Sequence, residues 1–450
     1  MPNIRKALLP FTISNAAKLP FYSKFWSRVD TDSVQSLADL HLLPTLTKSE
    51  YRRSFMFEPA SVSKADYVTH TTGTTGEVTW RHRSALEASV IGSLFQQRKE
   101  SDDDELSLVI RYNRHGMAMP VPGRARSIPI SVTDAIELKQ CLEMLTATYY
   151  MGGRTLRPTI LAGGGQDLAL LAQSCLESQV PREKLAIRTI YLGGFVDTGL
   201  RRFIRRCFDN ADVIEKFSMA EIFGGATRRW PDESFTLDPY VVGEVVDEQG
   251  NPLGIGETGE LVLTELFPFV QIQPLIRYRT GDIVQLIEQS EEITKFQWWG
   301  RRHQCALGGE EGLQRWILGY RPLADWLSQQ PVVARQAYRS YLPLTSSDLG
   351  APCVAVSIVA ESVLRVEIGV RVNPWWETRT IQALMEGLWD LINSTIQRPP
   401  EWLYIQLAFR HVPGFIDDFT ALPDSRDLVF TPTRPSDLAP NSTWAETVDM

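Results

Sequence analysis

Hydrophobic positions in the middle of the chain form short apolar runs separated by helical patterns. The runs at 107–112 (SLVIRY), 158–163 (PTILAG) and 187–194 (IRTIYLGG) have the length and composition of strands buried on both faces. The segments LALLAQSCLES and GLRRFIRRCF, which follow the second and third runs, are typical of helices. Strands that alternate with helices predict a mainly parallel sheet with helices on its faces.

The pattern changes on either side of this region. The first ~60 residues indicate short helices separated by prolines, with Leu37, Leu40 and Leu43 at helical spacing before Pro44. From Tyr240 onward, YVVGEVVDEQGNPLGIGETGELVLTEL predicts two strands joined as a hairpin, and QPLIRYRTGDIVQLI predicts strand, turn and strand. We expect these strands to form a smaller antiparallel, β-barrel-like unit.

The region from Gly300 predicts a second domain. It contains an alternating run at Cys353–Val372 and an amphipathic segment, ETRTIQALMEGLWDLINSTI, and its last ~25 residues are rich in Pro, Ser and Thr. We predict an α/β fold with a large N-terminal domain, residues 1–301, of mixed sheets with flanking helices and the barrel-like unit. A smaller, mobile α+β C-terminal domain with a loose tail would occupy residues 302–450.

Composition excludes several classes of protein. The net charge of −8 comes without a Lys/Arg block, and the longest apolar stretches are strand-sized, so we expect neither a nucleic-acid partner nor a membrane span. The six histidines show no metal-ligand spacing. The segment MPNIRKALLPF lacks the apolar core of a signal peptide, and five scattered cysteines without a CxxC pair indicate reduced thiols, so we expect a cytoplasmic protein.

A segment rich in hydroxyls and glycine, YVTHTTGTTGEVTW, follows the helical N-terminal region. Its backbone N–H groups and hydroxyls could contact a polyanion, because glycine lets the backbone approach a ligand closely. It lacks the lysine and the spacing of a Walker A loop, and a plain surface turn is the alternative. The residues concerned are Thr71, Thr72, Gly73, Thr74, Thr75 and Gly76.

Three further segments carry side chains suited to a nucleotide. In KFSMAEIFGGAT, Glu221 could hold a Mg²⁺ ion that bridges phosphates, and in PLIRYRTGD, Asp282 could accept two ribose hydroxyls. In WWGRR, Arg301 could reach an anion. The alternatives are an ordinary exposed glutamate, an aspartate that accepts its own turn N–H groups, and a surface arginine. Each segment alone leaves both interpretations open.

The order of these segments resembles that of the acyl-adenylate-forming enzymes, and within them the phenylacetate–CoA ligase branch. The series runs from TTGTTG through a strand-end Gly-Gly pair, an aromatic-x-x-x-Glu segment, GETGELVLTEL and IRYRTGD to a Gly-Arg pair. LPFYSKFW with LADLHLLPTLTKSEYRRSF is similar to the N-terminal signature of that branch. The resemblance covers about two-thirds of the chain, from Leu19 to Arg301.

The resemblance implies a ligase that depends on ATP and Mg²⁺. A carboxylic acid would attack the α-phosphate of ATP, and the acyl group would pass from acyl-AMP to CoA, to a carrier-protein thiol or to an amine. By the match, the phosphates would contact Thr71–Gly76, and the metal ion would bind Glu221. The adenine would lie at Gly193, Gly194 and Phe217, and the ribose would lie at Asp282. Arg301 would lie near the ribose or phosphate.

The chain departs from the family at several positions. Glu77 stands where a lysine often follows the loop, Ser218 stands for the glycine after the aromatic residue, and Phe195 stands for the acidic residue after the Gly-Gly pair. The family's C-terminal lysine, which stabilises the reacting carboxylate and α-phosphate, is missing because Lys295 is the last lysine of the chain. Losing such a charge lowers rates on the order of 10²–10³-fold.

Three interpretations of function therefore stand at this point. The first is a working ligase with an altered C-terminal domain, in which Leu428 falls near the lysine's place and Arg426 is the nearest cation. The second is a degenerate relative that binds an acid, a nucleotide or an acyl-adenylate, or that catalyses only acyl transfer. The third, a dinucleotide enzyme suggested by GGGQDL after a strand, lacks the third glycine, since Leu168 stands there.

The acid itself is not specified by any motif. The segment RYNRHGMAMPVPG could line the acyl pocket with His115 near the carboxylate, and Met219 and Gly224 are further candidates. An aryl or arylacetic acid is the default that the resemblance implies. Relatives in this branch include tailoring enzymes of secondary metabolism, and a homodimer is left open.

Overall fold

The structure, a computed structural model, describes most of the chain. The described residues are 4–71, 78–96, 105–110, 126–132, 134–308, 316–336, 349–360, 363–397, 399, 403–417, 419–422 and 428–430. Two compact units are present: one comprises Met1–Leu168, Ser178–Gly194 and Phe208–Trp298, and the other comprises Ala169–Glu177, Phe195–Cys207 and Trp299–Met450.

In the described part of the chain, the first 65 residues contain one helix of 14 residues and three helices of six residues or fewer. The α-helices of all the described residues are α1 (Ile4–Ala17), α2 (Pro20–Phe25), α3 (Lys48–Glu50), α4 (Pro59–Val62), α5 (Ala85–Gln96), α6 (Ala135–Thr146), α7 (Gly165–Glu177), α8 (Thr198–Cys207), α9 (Tyr320–Leu327) and α10 (Thr378–Thr395). Shorter 3₁₀ segments occur at Thr31–Ser33, Leu37–Leu42, Arg182–Lys184 and Arg302–Gln304, and a π-helical turn, Tyr51–Phe55, continues α3.

The strands are β1 (Tyr67–His70), β2 (Trp80–Arg83), β3 (Leu106–Ile110), β4 (Arg126–Ile130), β5 (Tyr149–Met151), β6 (Arg154–Leu156), β7 (Ile160–Gly164), β8 (Thr189–Gly193), β9 (Asp212–Ser218), β10 (Gly225–Arg229), β11 (Phe235–Leu237), β12 (Val241–Val246), β13 (Thr258–Glu265), β14 (Tyr278–Gln289), β15 (Thr294–Arg301), β16 (Ala306–Gly308), β17 (Trp316–Leu318), β18 (Arg335–Gln336), β19 (Ala351–Pro352), β20 (Val354–Ala360), β21 (Val363–Val370), β22 (Tyr404–His411) and β23 (Leu428–Phe430).

One eleven-stranded sheet organises the first unit, with strand order β12-β13-β14-β15-β11-β10-β9-β8-β7-β3-β4. Strands β9, β8, β7, β3 and β4 pair in parallel, as the strand–helix alternation predicted. The three predicted apolar runs form β3, β7 and β8, and α7 and α8 are the predicted helices that follow β7 and β8. The carboxyl ends of β7, β8 and β9 therefore meet at one edge of the sheet.

The predicted antiparallel strands are hydrogen-bonded into this same sheet. Strands β12 and β13 pair as the expected hairpin, but QPLIRYRTGDIVQLI does not form strand, turn and strand. It contributes one long strand, β14, because Gly281 takes a φ of +74° within the strand and donates its N–H to Glu260 Oε1 at 3.0 Å. A register shift between Glu260 and Val262 on β13 accommodates the irregularity.

The N-terminal helices close the core of the first unit. Leu9, Ile13 and Ala16 recur at helical spacing on α1 and are fully or almost fully buried against the sheet strands. Pro44 does follow a helical segment, although Leu37–Leu42 is a 3₁₀ helix and not an α-helix. The Tyr22 hydroxyl donates to the Pro274 carbonyl at 2.8 Å, which ties α2 to the segment before β14.

The second unit has the predicted α+β character. The alternating run at 353–372 forms β20 and β21, which pair antiparallel, and β21 pairs in parallel with β22. Helix α10 buries Ile381, Leu384, Leu388 and Ile392, one stripe at helical spacing. Within the described ranges, no helix combines the length and the apolar character that a membrane span requires.

Candidate functional site

The loop TTGTTG lies between the two strands of a hairpin, and its stem is fixed by hydrogen bonds. The Thr71 N–H donates to the Thr79 carbonyl at 3.0 Å, and the Thr79 N–H donates to the Thr71 hydroxyl at 3.0 Å. Below the stem, β1 and β2 pair from His70↔Trp80 to Tyr67↔Arg83. Thr72, Gly73, Thr74, Thr75 and Gly76 fall outside the described residues, so the structure places the two ends of the loop.

A buried carboxylate ties this hairpin to the segment that contains Glu221. Glu265 is fully buried; its Oε2 lies 2.7 Å from Arg81, and its Oε1 lies 3.3 Å from Arg83, both on β2. The same Oε1 accepts the N–H of Phe223 at 2.6 Å, and Oε2 accepts the N–H of Leu275 at 2.9 Å. Four donors therefore contact the Glu265 carboxylate. This one side chain joins the loop stem to the residues just after Glu221.

A short helical segment provides a second link between the loop stem and Glu221. Lys48 Nζ lies 3.0 Å from Glu221 Oε1, and Arg52 Nε donates to the Thr79 hydroxyl at 3.0 Å. Residues four apart on a helix lie about one turn apart on the same side. Glu221 therefore contacts one turn of this helical segment, and the stem of the loop contacts the next turn.

Backbone pairing with a distant strand positions Lys48. The Leu46 N–H donates to the Arg277 carbonyl at 2.8 Å, and the Arg279 N–H donates to the Leu46 carbonyl at 2.9 Å, so this segment pairs alongside the start of β14. Thr47 then caps the helix by accepting the N–H of its third residue at 3.2 Å. Lys48 is the first helical residue, and its location follows from these contacts.

Glu221, Lys48 and Tyr278 form one cluster. Glu221 is 7% exposed and Tyr278 is 2% exposed. Burial, and then the negative charge of Glu221, raises the pKa of Tyr278 above that of an ordinary tyrosine. The phenol therefore stays protonated and can donate a hydrogen bond near the carboxylate.

Asp282 lies four residues beyond Tyr278 on the same strand. It is 1% exposed, and its Oδ1 accepts a hydrogen bond from Trp298 Nε1 at 2.9 Å. Its own N–H donates to the Thr280 hydroxyl at 3.1 Å, and Gly281 before it uses a positive φ. The RTGD segment thus orients the carboxylate through local bonds and through one indole donor.

The predicted glycine pairs also lie at the carboxyl edge of the parallel strands. Gly193 ends β8, and a Cβ added there would meet no atom within 4 Å, whereas Gly194 has a φ of +79°. Gly224 has a φ of +106°, and a Cβ on Gly225 would clash with the Phe217 carbonyl oxygen. Gly193 therefore leaves open space above the backbone, while Gly225 is required by close packing.

The remaining predicted residues differ in their surroundings. Phe217 is partly buried, with its ring 5.4 Å from Phe296 and 6.0 Å from Phe235 between centroids, and Met219 also packs against this core. Arg301 ends β15 in the second unit, is exposed, and donates its backbone N–H to Gln304 Oε1 at 3.1 Å. His115 lies outside the described residues.

The donor set determines which ligands these residues fit. Among the residues whose positions are described, no cluster of three His, Cys, Asp or Glu side chains could hold a metal by itself. Magnesium at nucleotide sites is commonly held by one or two carboxylates together with phosphate oxygens. Glu221, an oxygen donor beside a lysine, fits such a shared ion, and the open backbone at Gly193 fits a flat ring.

Sequence reasoning assigned no role to four residues that build this region. Lys48 lies within the segment LTKSEYRR, Tyr278 within IRYRTGD, and Trp298 within WWGRR. Each of these segments contributes to the family resemblance of the sequence. Glu265 had no signal, because a glutamate at the end of GELVLTEL is normally exposed. Its burial depends on arginines about 180 residues away in the chain.

Comparisons with known proteins identify the fold. No protein-family model matches the sequence, and a search of curated proteins found none with a similar sequence. A crystal structure of an open conformation of 2-hydroxyisobutyryl-CoA ligase in complex with 2-HIB-AMP and CoA is similar, with a TM-score of 0.65 and 14% identity over 96% of this chain and 90% of that chain.

Further solved structures agree with this result. The same ligase in the postadenylation state, in complex with R3-HIB-AMP, gives a TM-score of 0.60 and 16% identity over 93% of this chain and 90% of that one. ATP-bound MatB from Rhodopseudomonas palustris gives a TM-score of 0.52 and 15% identity over 81% of this chain and 66% of that one. The chain therefore has the fold of these ligases, which confirms the predicted fold class; the phenylacetate–CoA ligase branch stays a prediction.

Proposed function

We propose that this chain uses ATP to convert a carboxylic acid into an acyl-AMP and then transfers the acyl group to CoA. The observation that carries the proposal is the ion pair between Lys48 and Glu221, one helical turn from the stem of the TTGTTG loop. The fold adds support, because chains of this fold have been solved with acyl-AMP and CoA and with ATP.

In this proposal the polyphosphate lies between the loop and Glu221. Thr71–Gly76 would donate hydroxyl and N–H groups to the phosphates, apart from the Thr71 N–H, which donates to Thr79. Glu221 would hold a Mg²⁺ ion shared with the phosphates. The ion would supply charge neutralisation on the phosphates. Lys48, which contacts Glu221 at 3.0 Å, would place a second positive charge on the same phosphates.

The nucleoside would be held by groups on neighbouring strands. Asp282 would accept the ribose hydroxyls, with one carboxylate oxygen fixed by Trp298 Nε1. Gly193 and Gly194 would border the adenine, and we place Phe217 and Arg301 at the nucleotide on the family resemblance alone. Met219 and Gly224 are the described residues that we assign to the acyl pocket.

The chemistry consists of two displacements. An oxygen of the substrate carboxylate attacks the α-phosphorus, the bond from that phosphorus to the bridging oxygen breaks, and pyrophosphate leaves with the electron pair. The CoA thiolate then attacks the acyl carbon, the bond from that carbon to the phosphate oxygen breaks, and AMP leaves. The residues above contribute orientation and positive charge, which are the main sources of rate in such transfers.

The missing C-terminal lysine favours a second candidate function. Because no lysine follows Lys295, a chain that binds the acid, the nucleotide or the acyl-adenylate without forming it, or that catalyses only acyl transfer, is the competing proposal. Lys48 favours the first candidate, because it supplies an ammonium at Glu221 from the N-terminal side of the sequence.

The finer parts of the proposal rest on the family resemblance. They are an aromatic acid as substrate, a carrier-protein thiol or an amine as an alternative acceptor, and a role in secondary metabolism. A homodimer is proposed as well, and a domain boundary near residue 301 is proposed from the change in sequence pattern there. A cytoplasmic location is also proposed, in keeping with the burial of Cys141, Cys175, Cys207, Cys305 and Cys353 as thiols.

Acid-dependent exchange of labelled pyrophosphate into ATP tests the proposal. A panel of aryl, arylacetic and short aliphatic acids would be assayed with the full chain and with Glu221→Gln, and Glu288→Gln would serve as a control because Glu288 pairs with Lys295 at the surface. We expect exchange with at least one acid, a loss of about 10²–10³-fold in Glu221→Gln and no loss in Glu288→Gln. Exchange at background for every acid, together with measurable ATP binding, would support the degenerate candidate instead.

A further inference from the structure

A cavity of about 310 Å³ lies within the unit that contains the eleven-stranded sheet. Its lining comes from the 3₁₀ segment Leu37–Leu42, from β12 and the loop after it, and from the end of β14. Lys48, Glu221 and Asp282, which we propose to hold ATP, are not among the described residues that line it. Small-molecule sites typically occupy about 300–1,000 Å³, so this cavity has the size of a small one.

Apolar side chains supply much of the lining. Val245 on β12 and Leu286 on β14 are 2% and 3% exposed, and Leu37 and Leu253 line the same cavity. Burying hydrocarbon against such side chains is favourable. The cavity therefore suits a ligand with an apolar body.

Glu244 adds a carboxylate to the lining, and Arg277 orients it. Arg277 donates from Nε to Oε2 at 3.0 Å and from Nη2 to Oε1 at 2.9 Å, so each oxygen receives one hydrogen bond. A carboxylate has about four lone-pair sites, which leaves about two for a ligand. Burial raises the pKa of Glu244 above its usual value, although Arg277 opposes the rise, so a further positive charge beside it would favour the ionised form.

Two more lining residues offer acceptors. His41 Nδ1 donates to the Ala38 carbonyl at 2.6 Å, and this makes Nε2 the acceptor of the neutral ring. Gln289 Nε2 reaches the Gly243 carbonyl only at 3.5 Å, and Gln289 Oε1 is buried without a hydrogen-bond partner. Turning this weakly held amide toward a ligand would give Oε1 the hydrogen bond that it lacks.

We propose that this cavity binds a small primary amine with an apolar body, at a site separate from the nucleotide. Two carboxylates, those of Glu244 and Glu291, and no lysine or arginine are present among the described lining residues; Lys6 pairs with Glu291 at the surface. An ammonium has three N–H donors and no acceptor, which matches a lining of acceptors. The inference does not depend on the proposed function.

Three ammonium compounds test the inference. Benzylamine carries N–H donors and a ring, methylamine carries the donors without the ring, and benzyltrimethylammonium carries the charge and the ring without a donor. Binding to the full chain is measured by calorimetry, with and without Mg²⁺ and ATP. Gln289→Met removes the amide, and Ala38→Trp fills the cavity. The matched control is Gln285→Met on the same strand, where the amide donates to the Gly256 carbonyl at 2.9 Å outside the lining.

We expect benzylamine to bind at least about tenfold more tightly than either of the other two compounds, because it alone combines donors with hydrocarbon. Gln289→Met should weaken its binding by about fivefold or more, through the loss of one hydrogen bond. Ala38→Trp should abolish binding, and Gln285→Met should leave it unchanged. Saturating Mg²⁺ and ATP should leave benzylamine bound.

Several outcomes would overturn the inference. These are no binding of benzylamine, equal binding of benzyltrimethylammonium, and unchanged binding in Gln289→Met or in a folded Ala38→Trp chain. Circular dichroism checks folding, and Gln289→Met decides the matter if Ala38→Trp does not fold. Loss of benzylamine binding in the presence of ATP would place the amine at the nucleotide site and also overturn the inference. Failure of ATP to bind would instead overturn the proposed function, and the comparisons made without ATP would still decide the role of the cavity.

Discussion

At the scale of single residues, the two halves of the Lys48–Glu221 pair differ in exposure. The lysine side chain is 37% exposed and the glutamate side chain is 9% exposed, whereas Lys295 and Glu288 form a surface pair at 36% and 41%. The buried Glu221 carboxylate is held in place, and the partly exposed Lys48 ammonium can turn toward a ligand. The first pair is therefore suited to bind a metal–phosphate group, and the second is an ordinary surface ion pair.

Replacing Lys48 by methionine should remove a positive charge from the bound polyphosphate. We expect kcat/KM for ATP in pyrophosphate exchange to fall by about 10²-fold, because a positive charge aimed at the phosphates stabilises the transition state. Lys295→Met is the matched control and should behave as the wild type. Equal activity of both variants would show that Lys48 has no contact with the nucleotide.

His82 should make the stability of the fold sensitive to acid. Burial, and then the charge of Arg81, holds the pKa of His82 below its usual value. The unfolded chain therefore binds a proton before the folded chain does, and stability should fall as pH drops below about 6.5, until the lower folded pKa is reached. Urea unfolding at pH 7.5, 6.5 and 5.5 should show a smaller fall in His82→Gln; equal falls in both proteins would contradict this account.

At the scale of elements, the β1–β2 hairpin and the turn after Glu221 share the carboxylate of Glu265. Tyr51 adds to this junction, because its hydroxyl donates to the Trp80 carbonyl at 2.7 Å. Gln273 joins the same region by donating from Nε2 to the Phe55 carbonyl at 2.8 Å. The loop stem is therefore part of a buried polar network, which fixes the two ends of the loop.

Removing the charge of Glu265 should destabilise the fold strongly. Glu265→Gln removes the carboxylate that pairs with the buried Arg81 and Arg83, and breaking such a buried pair typically costs about 3–5 kcal/mol. Glu291→Gln is the control, because Glu291 pairs with Lys6 at the surface and its loss should change stability by no more than about 0.5 kcal/mol. Urea unfolding measures both; a loss in Glu265→Gln below about 1 kcal/mol would show that this junction contributes little to stability.

The elements that the sequence predicted well are those whose pattern is local. Strands β7 and β8 and helices α7 and α8 follow from apolar runs and helical spacing, and the hairpin of β12 and β13 follows from alternation around a turn. β14 was predicted as two strands, because RTGD is a typical turn, and the bond from Gly281 to Glu260 that keeps it in the sheet is not local. The location of Lys48 likewise depends on pairing between Leu46 and a strand more than 200 residues away, which spacing in the sequence does not reveal.

At the scale of the whole molecule, three of the side chains that we assign to the phosphates and ribose lie within one compact unit. Lys48, Glu221 and Asp282 belong to the unit that contains the eleven-stranded sheet, and Arg301 belongs to the other. The first unit should therefore bind the nucleotide through its own residues. The absence of lysine after Lys295 in the sequence should slow the chemical step more than it weakens nucleotide binding.

Binding of ATP should stabilise the folded chain. A ligand at one hundred times its Kd adds about 2.7 kcal/mol to the stability of the state that binds it, so Mg²⁺ and ATP should raise the midpoint of thermal unfolding. Asp282→Ala should still fold and should show a smaller rise at the same ATP concentration, because the carboxylate proposed to accept the ribose hydroxyls is gone. An equal rise in both proteins would place the ribose elsewhere.

The central claim is that ATP is held at Lys48, Glu221 and Asp282, and a crystal structure of the full chain with Mg²⁺ and a non-hydrolysable ATP analogue tests it most directly. We expect the metal ion on a Glu221 oxygen, a phosphate oxygen within hydrogen-bond distance of Lys48 Nζ, and the ribose hydroxyls on Asp282. A nucleotide bound away from these three side chains would contradict the account.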